Sequence, residues 1–297
     1  MSKKEELYKI FNGWEESVPA NLVEPVKSYV DSLSDSEIDD FLQKYEVAGE
    51  DWGFSAGSPI VGEIMRLVLG KMINFHISGA ENLDYALKLL AENRTKRVVI
   101  VSNHLSYSDA NIFAAAFDSN LKQAGFGNQL AVVAGPKVFS HPIRKFASMH
   151  FDSLLIAQSQ TVATVPVAYP IRVVARSLTK VVDEIKSRVK IFLVFPEGKR
   201  SRTGSMDSFL AGVYRMIDTG ENVLVLPVSI VGGEKFLPIS DKTLHCTDVA
   251  ISVGMSEYVA DIIEKIGDSQ SVKQDFMDYL GRRVAEMLPP ERHGVYK

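Results

Sequence analysis

The first part of the chain carries apolar residues at the three- and four-residue spacing of amphipathic helices. Three such faces follow one another, and Ser34-Asp35-Ser36-Glu37 resembles a capping box at the start of the third. A fourth helical pattern runs from Pro59 to Phe75, after a loop with three glycines from Ala48 to Ser58. We therefore predict a small N-terminal helical domain over residues 1–75. The first three apolar faces are Leu7, Ile10 and Phe11; Val23, Val26, Val30 and Leu33; and Ile38, Phe41, Leu42 and Tyr45.

From His76 onward the pattern changes to short, continuous apolar runs that are rich in β-branched residues. Helical patterns, such as Asn82 to Glu92, lie between several of these runs. Continuous apolar strands that alternate with helices indicate an α/β fold in which helices cover the sheet. We expect a mostly parallel or mixed sheet in a domain over residues 76–297, with a closing helix from Lys273 to Leu288. The predicted strands are Arg97 to Ser102, Leu130 to Ala134, Val189 to Phe195, Val223 to Ser229 and Val249 to Val253.

Composition narrows the classes of function. Lys plus Arg number 33 and Asp plus Glu number 37, and a net charge of −4 gives no electrostatic footprint for nucleic acid. The single cysteine, Cys246, excludes an internal disulfide and a multi-thiolate metal site. The longest uncharged stretch, Ser153 to Ile171, is interrupted by two prolines, so we predict no membrane-spanning helix. The charged start does not resemble a signal peptide, and we expect a soluble, reducing, cytoplasmic setting, with peripheral contact at a membrane surface left open.

The first candidate for chemistry is Asn103-His104-Leu105-Ser106-Tyr107-Ser108-Asp109, between a predicted strand and a predicted helix. Ligands of open α/β sheets bind at the carboxyl ends of the strands. A bend between strand and helix can bring the imidazole and the carboxylate face to face. The carboxylate then holds the imidazole in one tautomer, and the other ring nitrogen acts as a general base on a hydroxyl. The alternative is a solvated histidine beside a helix-capping aspartate.

The second candidate is Phe195-Pro196-Glu197-Gly198-Lys199-Arg200-Ser201-Arg202-Thr203-Gly204, which also follows a predicted strand. Three cations alternate with small hydroxyl residues between two glycines. Guanidinium groups grip phosphate oxygens and glycine lets the backbone come close, so this pattern is typical of a phosphate clamp. A basic surface turn is the alternative. In a parallel sheet the two segments lie at one edge, which favours a shared site.

In this order, the two segments resemble the motifs of the glycerolipid acyltransferase superfamily, which includes glycerol-3-phosphate and lysophosphatidate acyltransferases. The segments Ile77 to Leu83 and Val225 to Ile230 also resemble the superfamily, so the resemblance covers roughly residues 76 to 235. With helices before the α/β domain and no spanning segment, the whole chain looks most like the soluble plastid glycerol-3-phosphate acyltransferases. The compartment implied is the cytoplasm or a soluble space like the plastid stroma.

The resemblance implies transfer of a fatty acyl group from a thioester, acyl-CoA or acyl carrier protein, directly to a hydroxyl of glycerol 3-phosphate. It implies no acyl-enzyme, no metal and no cofactor other than the acyl donor as co-substrate. His104 is then the base and Asp109 its orienting partner. The partners implied are the thioester donor, the phosphorylated glycerol acceptor and, as an alternative donor, acyl carrier protein. The segment that binds the acceptor phosphate comprises Glu197, Gly198, Lys199, Arg200, Ser201 and Arg202.

One segment departs from the pattern of the superfamily. The middle motif usually runs Gly-x-Ile-Phe-Ile-x-Arg, whereas the corresponding stretch from His150 to Ala157 has neither the glycine nor the arginine. Arg172 and Arg176 are our candidate replacements for the arginine. The head group of the acceptor is therefore open, and lysophosphatidate is the alternative acceptor.

Two other functions compete with acyl transfer. Gly53-Phe54-Ser55-Ala56-Gly57 fits the G-x-S-x-G of serine hydrolases, in which the serine sits between a strand and a helix. Here the residues before it predict a helix end and an acidic loop, so we interpret the segment as a glycine-rich linker. The second alternative is a lipid-binding protein without catalysis, which only the missing arginine supports.

Overall fold

The computed structural model describes residues 3–15, 18–120, 126–157, 169–218, 220, 222–238 and 243–297. These residues form a mixed α/β protein, as predicted from the sequence. The chain divides into two compact units. The first unit comprises residues 1–73, 110–184 and 240–246, and the second comprises residues 74–109, 185–239 and 247–297. Because each unit combines separate segments, the units do not test a division into two consecutive domains, and the boundary between residues 75 and 76 stays a prediction.

The first unit begins with three helices whose bounds match the apolar pattern. They bury Leu7, Val30 and Phe41 completely, while the side chain of Phe11 lies outside the described residues. The predicted capping box is present at the start of the third helix. There the Ser34 hydroxyl accepts the Glu37 backbone N–H and the Glu37 carboxylate accepts the Ser34 backbone N–H. The helices are α1 (Lys3–Glu15), α2 (Ala20–Ser32) and α3 (Asp35–Val47).

One local prediction in this unit is wrong: the middle of the expected loop is strand β1 (Gly53–Ser55). It pairs antiparallel with β5 (Asp152–Leu155), which in turn lies parallel to β4 (Leu130–Ala134). A three-residue strand that begins with glycine has no apolar run to reveal it, and its backbone partners lie far away in the sequence. The interpretation of G-x-S-x-G as a linker is therefore corrected, because Ser55 lies in a strand opposite Ser153.

The remaining helices of the first unit follow the predicted alternation with strands. Most of α4 is buried, and it ends at Met72 rather than at Phe75, because Ile73 begins a strand. Residues 158–168, within the uncharged stretch considered above, lie outside the described residues. The helices are α4 (Pro59–Met72), α6 (Asp109–Asn120), α7 (Pro136–Phe139), α8 (Pro142–Ser148) and α9 (Ile171–Ser187).

The second unit is built around β3 (Arg97–Ser102), which lies between β6 (Ile191–Val194) and β7 (Val223–Val231) and runs parallel to both. Val101 is opposite Val194 on one side and Pro227 on the other. Every residue of β3 and β6 is buried, as continuous apolar strands require when helices cover both faces. The parallel register brings the carboxyl ends of these strands to one edge.

Antiparallel strands and five helices complete the second unit in the part of the chain that the structure describes. β8 (Thr247–Val253) and β9 (Glu257–Tyr258) run antiparallel to β7, and β2 (Ile73–Ser78) follows β8 in the strand order, so the sheet is mixed. The predicted closing helix is present as α13 (Val272–Ala285), which ends three residues before the predicted end at Leu288. The helices are α5 (Ala80–Ala91), α10 (Tyr214–Ile217), α11 (Gly233–Phe236), α12 (Val259–Ile266) and α13 (Val272–Ala285).

Candidate active site

The site begins where β3 ends. Asn103 is almost fully buried, and its side-chain amide bonds the backbone of Ile230 in β7 twice. Nδ2 donates to the Ile230 carbonyl over 3.0 Å, and Oδ1 accepts the Ile230 N–H over 2.9 Å. The amide thus continues the sheet by one rung beyond the strand. Because Asn103 is fixed in this way, His104 starts the following loop in a defined position.

His104 and Asp109 meet as the spacing predicts. Nδ1 of the imidazole lies 2.9 Å from Oδ2 of Asp109, and the same oxygen accepts the backbone N–H groups of Leu105, over 2.6 Å, and Ser106, over 2.8 Å. Asp109 is fully buried, whereas 18% of the His104 side chain is exposed. The carboxylate thus contacts the imidazole at Nδ1, and Nε2 of His104 has no hydrogen-bond partner among the described residues.

The ring of His104 is also held from the second motif. The imidazole stacks on the ring of Phe195, with centroids 4.2 Å apart and planes 15° from parallel. The backbone carbonyl of His104 accepts the N–H of Ser201 over 2.8 Å. Contacts on the ring face and on the backbone leave the imidazole few alternative orientations. An imidazole held in this way presents Nε2 to an approaching hydroxyl.

Glu197 connects the two motifs. Only 3% of this residue is exposed, and its two carboxylate oxygens accept different backbone N–H groups. Oε1 accepts from His104 and Oε2 accepts from Asp207, each over 2.8 Å. The prediction placed Glu197 among the residues that bind substrate. The observed bonds use both oxygens to fasten the loop of His104 and the loop of the cations to each other.

The three cations of the second motif have different surroundings. Lys199 forms an ion pair with Asp207 at 3.0 Å, and the guanidinium of Arg200 lies 3.6 Å above the ring centroid of Tyr107. Arg202 is exposed and makes no hydrogen bond or ion pair with a described residue. Lys199 is thus partly neutralised, whereas the charge of Arg202 has no anionic partner in the described protein. Ser201 is buried, and its hydroxyl donates to the Ser205 carbonyl over 2.7 Å.

The loop that carries these cations is braced by the last residues of the chain. The Met206 N–H donates to the Arg292 carbonyl over 2.9 Å, and the Phe209 N–H donates to the Tyr296 hydroxyl over 2.7 Å. Gly294 has a φ of +59°, and a Cβ there would lie 1.9 Å from the Met206 carbonyl oxygen. Close approach of the two backbones therefore requires glycine. Gly198 also has a positive φ, +66°, which residues with a side chain rarely adopt.

The structure brings most of the predicted site residues together within the second unit. His104, Asp109 and the segment from Glu197 to Arg202 share one edge of its sheet. Arg172 and Arg176 are exposed on α9, in the first unit, and their part in the site stays a prediction. Ser55 also lies in the first unit, and no histidine nitrogen bonds its hydroxyl among the described residues.

Sequence reasoning assigned no role to several residues that build the site. Asp207 lies just beyond the second motif, and Tyr107 lies inside the first motif without resembling a catalytic residue. The asparagine directly after an apolar strand was a usable signal for Asn103. No sequence signal points to the contact between Met206 and Arg292, because the two residues meet through backbone groups.

The sequence of this chain matches the profile of a known protein family. The sequence profile of a family described as Acyltransferase matches residues 74–231, which is more than half of the chain. The chain belongs to the Acyltransferase family. The match confirms the resemblance to the acyltransferase superfamily, and with it an enzyme that transfers acyl groups. The finer likeness to plastid glycerol-3-phosphate acyltransferases stays a prediction.

No curated protein matches this acyltransferase. Among solved structures it is similar to the crystal structure of the 1-acyl-sn-glycerophosphate (LPA) acyltransferase PlsC from Thermotoga maritima. The TM-score is 0.48 and the sequence identity 16%, over 96% of this chain and 94% of that chain.

Among the described residues of the acyltransferase, no group of three or more His, Cys, Asp or Glu side chains is arranged to hold a metal ion. In the same parts of the chain, no helix combines the length and the apolarity that crossing a membrane requires.

Glu197 makes the stability of the acyltransferase depend on pH. Burial raises the pKa of its carboxyl to about 7, and the two backbone hydrogen bonds oppose this rise only in part. The folded protein therefore keeps a proton that the unfolded chain loses above the ordinary pKa of 4.5. The proton that Glu197 retains contributes its full stabilisation below pH 4.5, the ordinary pKa of the group. This stabilisation is lost as pH rises through the folded pKa of about 7, and the free energy of unfolding falls by at most about 1.4 kcal/mol per pH unit in between.

In the Glu197→Gln variant this titration is absent, and we expect its free energy of unfolding to change less between about pH 5 and pH 7. Urea denaturation of the two proteins across this range measures the difference. Equal pH slopes for wild type and variant would show that Glu197 keeps its ordinary pKa when folded.

Proposed function

We propose that this acyltransferase moves a fatty acyl group from a thioester donor to a hydroxyl of glycerol 3-phosphate, with His104 as general base. The observation that carries the proposal is the bonded connection of the His104–Asp109 pair to the cation loop. The pair is suited to taking a proton from a hydroxyl, and Arg200 and Arg202 lie on the adjoining loop. An acceptor with a hydroxyl near a phosphomonoester fits both halves of the site.

In the proposed reaction the acceptor hydroxyl transfers its proton to Nε2 of His104 as its oxygen attacks the thioester carbonyl carbon. Asp109, bonded at Nδ1, stabilises the imidazolium that forms. The carbon–sulfur bond then breaks, and the leaving thiolate takes the proton back from His104. The products are the acyl ester and the free thiol. The balance needs no acyl-enzyme, no metal and no cofactor besides the acyl donor.

Positive charge on the second motif supports a phosphorylated acceptor. Charge-assisted bonds from guanidinium to phosphate are among the strongest hydrogen bonds in proteins. Lysophosphatidate carries the same phosphomonoester, so the cation loop is compatible with both acceptors. Arg172 and Arg176 stay our candidates for the arginine missing from the middle motif. The proposed donors are acyl-CoA and acyl carrier protein.

An acceptor panel tests the function directly. Purified protein receives acyl-CoA with glycerol 3-phosphate, lysophosphatidate or a monoacylglycerol without phosphate, and release of free CoA thiol is measured. We expect the highest kcat/KM with glycerol 3-phosphate. A higher kcat/KM with lysophosphatidate would show that lysophosphatidate, and not glycerol 3-phosphate, is the acceptor. Equal kcat/KM with the unphosphorylated acceptor would show that the cation loop does not bind an acceptor phosphate. No thiol release with any acceptor would favour the lipid-binding alternative.

The Arg202→Ala variant tests the clamp at a single residue. Arg202 is exposed and has no anionic partner in the described protein, so the substitution costs the fold little. Loss of one charge-assisted bond is expected to raise the KM for the acceptor roughly tenfold or more, with a small effect on kcat. Steady-state kinetics with each substrate varied in turn measures the effect.

The matched control is Arg215→Ala, which removes another exposed arginine of the second unit, on α10, that also makes no ion pair with a described residue. We expect this control to leave the KM for the acceptor unchanged. If Arg202→Ala changed only the KM for the acyl donor, the assignment of Arg202 to the acceptor phosphate would be wrong.

A further inference from the structure

Tyr107 and Arg200 form a stacked pair that joins the two motifs. The guanidinium carbon lies 3.6 Å from the centroid of the ring, well within the range of a cation–π contact. Tyr107 lies between the base and its carboxylate in the first motif, and Arg200 lies among the cations of the second. The ring thus belongs to the loop that does the chemistry, and the charge belongs to the loop that is proposed to bind phosphate.

The backbone on both sides of this pair is held in place. Next to Tyr107, Ser106 is fully buried, and its hydroxyl donates to the Leu237 carbonyl and accepts the Ser108 N–H, each over 3.3 Å. Next to Arg200, the Ser201 N–H donates to the His104 carbonyl over 2.8 Å. Neither side chain is therefore carried by a loosely attached loop segment. The bond from Ser201 also holds the backbone of His104.

Stacking restricts a guanidinium in a way that suits phosphate recognition. The five N–H donors lie in the plane of the group, and the aromatic ring covers only one face of that plane. The ring does not cover the in-plane N–H donors of a stacked guanidinium, and these donors can form bidentate bonds to an oxyanion. The stacking also restricts the orientation of the group before a ligand arrives. An ammonium group has neither the plane nor the fork, so lysine at position 200 would gain less from the ring.

We propose that Tyr107 is a positioning residue that holds the Arg200 guanidinium with its N–H edge towards the phosphomonoester of the acceptor. This proposal rests on the proposed function, since it assumes that Arg200 binds the acceptor phosphate. It adds that the first motif contributes to acceptor binding as well as to proton transfer. It also explains why a planar cation, rather than any positive charge, suits position 200.

The central test is a double-mutant cycle. The Tyr107→Leu variant loses the ring, and we expect the KM for the acceptor to rise about three- to thirtyfold, with kcat changed little. Tyr107→Phe keeps the ring and is expected to restore the KM to within about twofold of wild type. In an Arg200→Ala background, Tyr107→Leu is expected to add no further change, because the group that it positions is already gone. Arg200→Lys is expected to raise the KM for the acceptor as much as Tyr107→Leu does. Adding Tyr107→Leu to Arg200→Lys is expected to cause no further rise.

Inorganic phosphate serves as a probe that does not depend on turnover. Its inhibition constant against the acceptor is expected to weaken in the same variants that raise the KM and to be restored in Tyr107→Phe. Thermal unfolding of each variant shows whether the fold is intact. If Tyr107→Leu does not fold, the Arg200→Lys comparison and the phosphate inhibition of Tyr107→Phe carry the same test.

The outcomes separate the two proposals. If Arg200→Ala leaves the KM for the acceptor unchanged, the proposed phosphate site is wrong and this inference falls with it. If Arg200→Ala raises that KM but Tyr107→Leu does not, only the positioning role is overturned. If Tyr107→Leu raises the KM equally with and without Arg200, the ring acts on the acceptor by another route, and the positioning role is again overturned.

Discussion

Replacing His104 with alanine is expected to lower kcat by about a thousandfold, within the range that general bases contribute. The imidazole is fixed by a 2.9 Å bond to Asp109 and by stacking on Phe195. Its removal leaves the acceptor hydroxyl without a proton acceptor. The KM for the acceptor is expected to change little, because the cation loop is retained. Single-turnover and steady-state measurements of thiol release with acyl-CoA check this.

The chain offers a closely matched control for that experiment. His76 also faces a carboxylate, with Nε2 3.2 Å from Oδ1 of Asp248, but this pair is exposed and belongs to neither motif. We expect His76→Ala to keep full activity. Ser55→Ala is expected to keep activity as well, and if it abolished turnover while His104→Ala did not, the protein would be a serine hydrolase.

Asp109→Asn is expected to lower kcat by about a hundredfold or more, by analogy with the loss of the orienting carboxylate in other histidine-based sites. The Asp109 carboxylate is fully buried, and one oxygen accepts from Nδ1 of His104 and from two backbone N–H groups. An amide of the same size carries no negative charge to stabilise the imidazolium. It also places an NH₂ group where the carboxylate Oδ1 is buried without a partner, so it cannot gain a bond in exchange.

The test of Asp109→Asn compares kcat with thermal unfolding in the same preparation. A loss of kcat in a protein that melts near the wild-type temperature supports the orienting role. Should the variant fail to fold, Asp109→Glu keeps the charge and is expected to retain more activity than any uncharged replacement that folds. Activity of Asp109→Asn within a few-fold of wild type would show that the carboxylate only caps the turn.

Prediction from the sequence was most successful where one physical rule acts over a whole segment. Apolar strands that alternate with helices imply parallel neighbours, and parallel neighbours place their carboxyl ends together. That rule placed His104, Asp109 and the cation segment at one edge, as β3 and β6 confirm. The capping box at Ser34 was equally predictable, because its residue types carry the signal.

The parts that escaped prediction depend on groups without a residue-specific signal. The observed partners of Glu197 are backbone N–H groups, which every residue but proline carries, so no residue type predicts these two bonds. The assignment of Glu197 to the substrate stays a prediction. Strand β1 was missed because three residues cannot show a period and the strand is defined by its distant partner β5. The stacking of Arg200 on Tyr107 joins residues that are neighbours only after folding. Motif spacing alone contains none of this information.

The brace from the end of the chain has a consequence for how this enzyme can be divided. The family profile ends at residue 231, but the Met206 N–H and the Phe209 N–H find their partners at Arg292 and Tyr296. A fragment cut at residues 74 and 231, where the family profile begins and ends, would keep both motifs. It would lose Arg292 and Tyr296, which hold the loop of the second motif. The working unit of catalysis is therefore discontinuous in sequence, and redesign of the acceptor loop has to treat residues 290–296 as part of it.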